Sequence, residues 1–195
     1  MQSLSNTTKK YEHFRWFFTS DGILVVGGKS DEQNETVIKE FIRPEYVVMH
    51  TTEPGSPFMV IISKNPSKKD LDESTVVCAC FSKQWKLGTK EISVDIFKGE
   101  NIYKIKSMKT GTFGVKGEKK TVKIKPELVI VIQKGRARAV PKTTKEEILA
   151  EIKPGNLSKE EAAEKISKKI RDKYQLPISK EEIMSAIPSG NLSVK

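Results

Sequence analysis

Lysine carries most of the chemistry this sequence offers. Residues 98–145 hold 14 basic side chains against three acidic ones, a local charge of +11, in a 195-residue chain whose total is +10. Residues 1–97 hold 12 basic and 13 acidic groups, and residues 146–195 hold nine of each. A solubility device would be scattered, whereas a cationic field confined to one segment attracts a polyanion. Along Lys119 to Lys125, strand alternation turns Lys119, Thr121, Lys123 and Lys125 to one face and Lys120, Val122 and Ile124 to the other. Same-face residues lie about 7 Å apart, close to the roughly 6–7 Å between successive phosphates of an extended single strand. Lys109, Lys116 and the run Lys134-Gly135-Arg136-Ala137-Arg138, read as a basic exit loop, extend the cationic set.

Uncharged groups could fix the register of such a ligand. His50 ends an apolar run just before Pro54-Gly55-Ser56, and it can donate to a phosphate or stack on a base near Lys29 and Asn34. A hydrogen-bonded structural histidine is the other reading. Gly55-Ser56 can present amides to a phosphate or simply turn the chain. Gln33 and Asn34 fall in the first turn of a helix, where their amides either reach bases and backbone or cap and pack. Phe113, set between glycines and basic residues, suits base stacking, while Trp16 and Trp85 sit among apolar neighbours and suit the core. Cys78-x-Cys80 has neither redox nor zinc-knuckle spacing. No Ser-His-Asp set, carboxylate pair, metal cluster or P-loop is visible, so no catalytic residue, metal or cofactor is assigned. Acid–base catalysis would have to rest on His50 with Asp21 or Glu35.

These groups need a scaffold. His13 to Thr19 and Ile23 to Gly27 read as strands joined at Ser20-Asp21-Gly22, a hairpin signal. Ser30 with Gln33 makes a capping box for a helix whose apolar face is Val37, Ile38, Phe41 and Ile42 and which ends by Pro44. Tyr46 to His50 and Phe58 to Ser63 read as buried strands, and Asp70 to Lys86 reads as helical, although Thr75-Val76-Val77 within it would also suit a strand. Ile92, Val94 and Ile96 alternate as a half-buried strand, and Leu128 to Ile132 closes the core. Beyond Pro141 the pattern reads as helical to the end, with capping boxes at Thr144/Glu147, Ser158/Glu161 and Ser179/Glu182. A repeat runs through it: EEILAEIKPGNLS at 146–158 and EEIMSAIPSGNLS at 181–193 agree at eight of 13 positions. The expected fold is α+β: a twisted, mainly antiparallel sheet flanked by helices, with a helical C-terminal appendage over 143–195 after a domain over 11–142 and a flexible segment over 1–10. No apolar run approaches the roughly 20 residues of a membrane span. Polar residues 1–10 show no secretory signal, and two cysteines suit a reduced, cytoplasmic setting.

Phe14-Arg15-Trp16-Phe17, Ser20-Asp21-Gly22-Ile23-Leu24-Val25-Val26-Gly27-Gly28-Lys29 and Gln33-Asn34-Glu35 together resemble the opening signature of the NFACT RNA-binding domain. The resemblance continues through Glu45 to His50, Gly55-Ser56-Pro57, Cys80 to Trp85 and Thr110-Gly111-Thr112-Phe113-Gly114-Val115-Lys116-Gly117-Glu118-Lys119-Lys120, and covers about two thirds of the chain. It implies a small stand-alone form of that domain, related to the C-terminal part of the NEMF and RqcH ribosome quality-control proteins. It further implies RNA as partner (tRNA or large-subunit rRNA) and an association with the large ribosomal subunit. Two rivals stand beside this reading: an RNA-processing or tRNA-modifying enzyme using His50, and an adaptor that docks a protein partner through 143–195.

Overall fold

The computed structural model describes residues 10–195. The expected flexible segment over 1–10 lies outside them except for Lys10. Antiparallel pairing organises everything that follows.

The first hairpin forms where Asp-Gly placed it: β1 (Arg15–Phe18) pairs β2 (Leu24–Gly27), with Trp16 opposite Val26. Its turn is anchored from outside. Thr19 Oγ1 donates to buried Asp70, and the Ser20 amide and hydroxyl both donate to buried Glu73. Helix α1 (Asp31–Phe41) follows, capped by Ser30, whose Oγ accepts from Gln33 N at 3.2 Å. The Gln33 side chain reaches one residue beyond a capping box, accepting from Lys29 N at 3.0 Å. Then come β3 (Val47–Thr51) and β4 (Met59–Ile61).

The helix expected over 70–86 is two helices, α2 (Lys68–Cys80) and α3 (Lys83–Lys86). Ser82 makes the break: its Oγ donates to Ala79 O, closing α2, and accepts from Gln84 N, opening α3. Strands β5 (Ile92–Lys98), β6 (Ile102–Tyr103), β7 (Gly114–Val115) and β8 (Lys120–Ile124) complete the first half. The resulting six-stranded sheet has the order β1-β2-β4-β3-β5-β8, while β6 and β7 form a separate two-stranded flap.

Residues 128–195 build a second sheet. Its order is β10 (Arg136–Val140), β9 (Leu128–Gln133), β11 (Ala150–Leu157), β12 (Leu192–Val194). The segment after Pro141 supplies the expected helices, α4 (Lys159–Tyr174) and α5 (Lys180–Ala186), each with its serine cap, but it is not helical throughout. Thr144 caps no helix; its hydroxyl donates to Glu146. The two copies of the repeat adopt different structures: the first is strand β11, and the second is helix α5 followed by β12. They pair with each other, Leu157 and Pro154 both opposite Leu192 across a bulge. The boundary expected at residue 142 therefore falls inside one sheet. The basic exit loop is likewise a hairpin: Lys134 and Gly135 are a two-residue turn with φ of 51° and 73°, and Arg136 to Val140 is strand.

Two cores flank the large sheet. On one face, Trp16, Val26, Val48, Val60 and Phe97 pack against Val37, Ile38 and Phe41 of α1. On the other, Phe17, Val25, Met49, Ile61 and Val94 share a core with α2, the second sheet, α4 and α5. Helix α2 touches strands of both sheets, which is why Asp70, Glu73, Ser74 and Thr75 are buried with its apolar residues. Gln133 ties the second sheet to the free edge of β1, accepting from Phe18 N and donating to Phe18 O, both at 2.8 Å. Among the described residues no helix is long and apolar enough to cross a membrane.

Candidate nucleic-acid interface

The three uncharged polar candidates are built into the scaffold. Asn34 is buried; its Oδ1 accepts from Phe58 N at 3.1 Å and its Nδ2 donates to Ser56 O at 3.4 Å. Helix α1 thereby clamps the β3–β4 loop, and a Cβ on Gly28 would lie 2.3 Å from Asn34 Oδ1, so only glycine admits this approach. Ser56 is also buried, with Oγ accepting from Thr51 N at 2.9 Å. Gln33 bonds Lys29 N and His13 O. Their hydrogen-bonding capacity goes to holding the hairpin, the helix and the loop together.

His50 is half-buried, its ring 4.4 Å from that of Phe58. Its Nδ1 lies 2.7 Å from Thr51 O. A carbonyl only accepts, so Nδ1 carries the proton and Nε2 is left as an acceptor in the neutral ring. Burial lowers its pKa, against opposing contributions from Thr51 O and Asp95. A neutral imidazole with a free acceptor is poorly suited to meet a phosphate. Phe113 stands edge-on to Phe58 with ring centres 5.3 Å apart, and Lys104 Nζ sits 4.6 Å from its centroid. Lys104, which the sequence did not single out, also pairs with Glu35, and Glu35 accepts from Gly111 N at 2.9 Å. These two donors hold the Glu35 carboxyl below its ordinary range. They also pin the loop bearing exposed Lys109 and Thr110 onto α1.

The lysine face of β8 exists, but carboxylates engage part of it. Register places His50, Asp95 and Thr121 in one row across β3, β5 and β8, with Lys119 and Lys123 on the same face. Asp95 is buried and accepts from Lys119 Nζ at 2.7 Å, Thr121 Oγ1 at 2.6 Å and Thr52 Oγ1 at 3.1 Å. Burial alone would raise its pKa; these bonds outweigh that and hold it low. Lys123 pairs with Glu91 at 3.1 Å. Of the 14 cations in 98–145, five (Lys104, Lys119, Lys123, Lys142 and Lys145) lie within 4.0 Å of a carboxylate. The other nine, including Lys109, Lys116, Lys120, Lys125, Lys134, Arg136 and Arg138, have no such partner among the described residues.

These cations do not form one platform. Lys120 and Lys125 belong to the β8 edge, whereas Lys134, Arg136 and Arg138 belong to the hairpin packed on β1. Five inter-strand spacings, about 24 Å, separate β1 from β8. At the β1 side, Lys29, Arg136 and Arg138 line one cleft together with Arg15. The sequence signal for Arg15 is a lone guanidinium inside an aromatic strand, His13-Phe14-Arg15-Trp16-Phe17. Lys134 lies outside that cleft, 5.3 Å from the Phe18 centroid. The cysteines are buried, and burial pushes the Cys78 thiol up to about 12 and raises that of Cys80. Among the described residues no group of three or more His, Cys, Asp or Glu could hold a metal ion.

Comparison with known proteins places this geometry in a class. A family model described as the NFACT protein RNA binding domain matches residues 13–117, and the chain belongs to that family. It is 28% identical, over 95% of its length, to the archaeal Rqc2 homolog aRqcH of Methanocaldococcus jannaschii, covering 29% of that protein. It is 31% identical over 80 residues to the ribosome quality control complex subunit NEMF of Homo sapiens, a match that takes in 38% of this chain and 7% of that one. The chain thus spans less than a third of the curated relatives it matches. The solved C-terminal structure of the fibronectin/fibrinogen-binding protein from Streptococcus suis shares the fold, with TM-score 0.53 at 21% identity over 58% of this chain and 45% of that one.

Proposed function

We propose that this protein binds RNA, with tRNA or large-subunit ribosomal RNA as ligand, in the cytoplasm and in a ribosome quality-control setting. The observation that carries this is the match of residues 13–117 to an RNA-binding family, joined to nine cations of 98–145 that have no carboxylate within 4.0 Å among the described residues. Such groups displace condensed counterions from phosphates, which gives affinity without sequence preference. The relatives named for ribosome quality control suggest the setting, and contact with the large subunit is part of the proposal. His50, neutral and bonded to a backbone carbonyl, lends little to the enzyme reading. Helices α4 and α5 place Ala162, Ile166, Ile170 and Ile183 in the core, which removes the apolar face an adaptor would offer.

The test is an anisotropy titration of the full chain with tRNA and with a single-stranded oligonucleotide between 50 and 200 mM salt. Log K should fall linearly with log salt, with a slope steeper than about −2, corresponding to at least three phosphates at about −0.7 each. A flat response refutes the mechanism.

A further inference from the structure

Nine ion pairs are present among the described residues, and every one uses lysine. The arginines at the β1 edge are held differently. Arg15 lies with its guanidinium 3.8 Å over the Phe81 ring, and Arg138 lies 3.7 Å over Trp16. Stacking satisfies the face of a guanidinium but none of its N–H groups, which point outward in the plane. The Arg15 side chain makes no hydrogen bond among the described residues. The Arg138 side chain makes one, Nη1 to Ala137 O at 2.7 Å. The Nε atoms of both are sealed from solvent and have no partner among the described residues. Two such cations side by side are costly: burial first, then Arg138 as neighbour, pushes Arg15 down to about 9, and burial pushes Arg138 down to about 10.

Both line a cleft of about 470 Å³ between β1, β10 and α5. That size falls in the range of small-ligand pockets and exceeds what a bare inorganic ion fills. Exposed Lys29 and Arg136 stand on its rim, and Phe14, half-buried, adds an aromatic wall. Three carboxylates also line it, yet none is within 4.0 Å of a guanidinium. Glu182 uses Oε1 on Ala137 N at 2.8 Å, while Glu12 and Glu181 are exposed. A structural arginine pair would be expected to have recruited one of them.

We propose that this cleft is a phosphate-binding pocket in which Arg15 and Arg138 receive the phosphoryl oxygens of a nucleotide. Planar forks pre-oriented on aromatic rings match a phosphate two bonds at a time and need no rearrangement to do so. The nucleotide is either free or a unit of an RNA chain; the second source rests on the reading proposed above, whereas the phosphate chemistry rests on the arginines alone.

The experiment titrates the full chain with AMP, with adenosine and with a 12-nucleotide single-stranded RNA, for wild type, Arg15→Gln, Arg138→Gln and Lys120→Gln. AMP binding that is absent for adenosine and falls at least tenfold in both arginine variants identifies a free nucleotide. RNA affinity that falls at least fivefold in both, with the salt slope shallower by about 0.7, identifies an RNA phosphate. AMP binding without any RNA binding keeps the pocket and removes the RNA reading. RNA binding that Lys120→Gln weakens and the arginine variants leave unchanged, with no AMP binding, overturns the pocket and keeps the RNA reading. Should a variant fail to fold, phenylglyoxal modification of wild type decides: AMP or the RNA should slow modification of Arg15 and Arg138 at least fivefold, and unaltered rates overturn the proposal.

Discussion

Asp95 decides how much of the β8 lysine face is open to a polyanion, and Asp95→Asn measures it. The buried carboxylate accepts three bonds, from Lys119, Thr121 and Thr52. The lysine pair is half exposed on the lysine side and is worth about 0–1 kcal/mol. The two threonine bonds fall from charge-assisted to neutral, a loss of about 1 kcal/mol each, for a total of about 2–3 kcal/mol. Urea unfolding at pH 7 should show that loss with an unchanged m-value. Because the folded pKa of Asp95 lies below its unfolded value, its contribution is complete above about pH 4 and is lost as pH falls through the folded pKa. The wild-type and Asp95→Asn stability curves should therefore converge in acid. The released Lys119 should meanwhile steepen the salt slope of RNA binding by about 0.7–0.9. A variant as stable as wild type at pH 7, or curves that run parallel into acid, would refute the account of this row.

Gln133→Ala leaves the N–H and C=O of Phe18 without their partner at the junction of the two sheets. At about 1–3 kcal/mol for each group, unfolding should be easier by about 2–6 kcal/mol, in a single transition for both halves. His50 has a folded pKa below its unfolded value of about 6.5, so its contribution is full above that pH and declines as pH falls through the folded pKa. His50→Gln should flatten the wild-type loss of stability between pH 7 and pH 5, seen in thermal melts, and should leave RNA affinity at pH 8 within twofold.

Local signals predicted the local structure well. Ser20-Asp21-Gly22 gave the first hairpin, Ser30 the start of α1, and the alternation around Ile92 the strand β5. The failures came where tertiary pairing overrides local pattern. Glu146 to Ile152 reads as helical, yet Ala150 and Ile152 find Ile130 and Leu128 across the ladder and become strand. Nearly the same residues at 181–187, with no ladder beside them, become a helix. Deleting 143–195 would consequently remove two strands of a four-stranded sheet rather than an appendage.

The site was less legible than the fold, for an electrostatic reason. Counting charges along the chain cannot show that Lys119 finds Asp95, 24 residues away, or that Lys104 finds Glu35, 69 residues away. Nor does it reveal a cation without a partner. Arg15 matters because of what does not surround it, and only three-dimensional packing shows that.

In-cell ultraviolet crosslinking, with sequencing of the RNA attached to the purified protein, addresses the central claim most directly. The account predicts enrichment of tRNA or large-subunit ribosomal RNA over a non-crosslinked control. Recovery of no RNA above that control would contradict it.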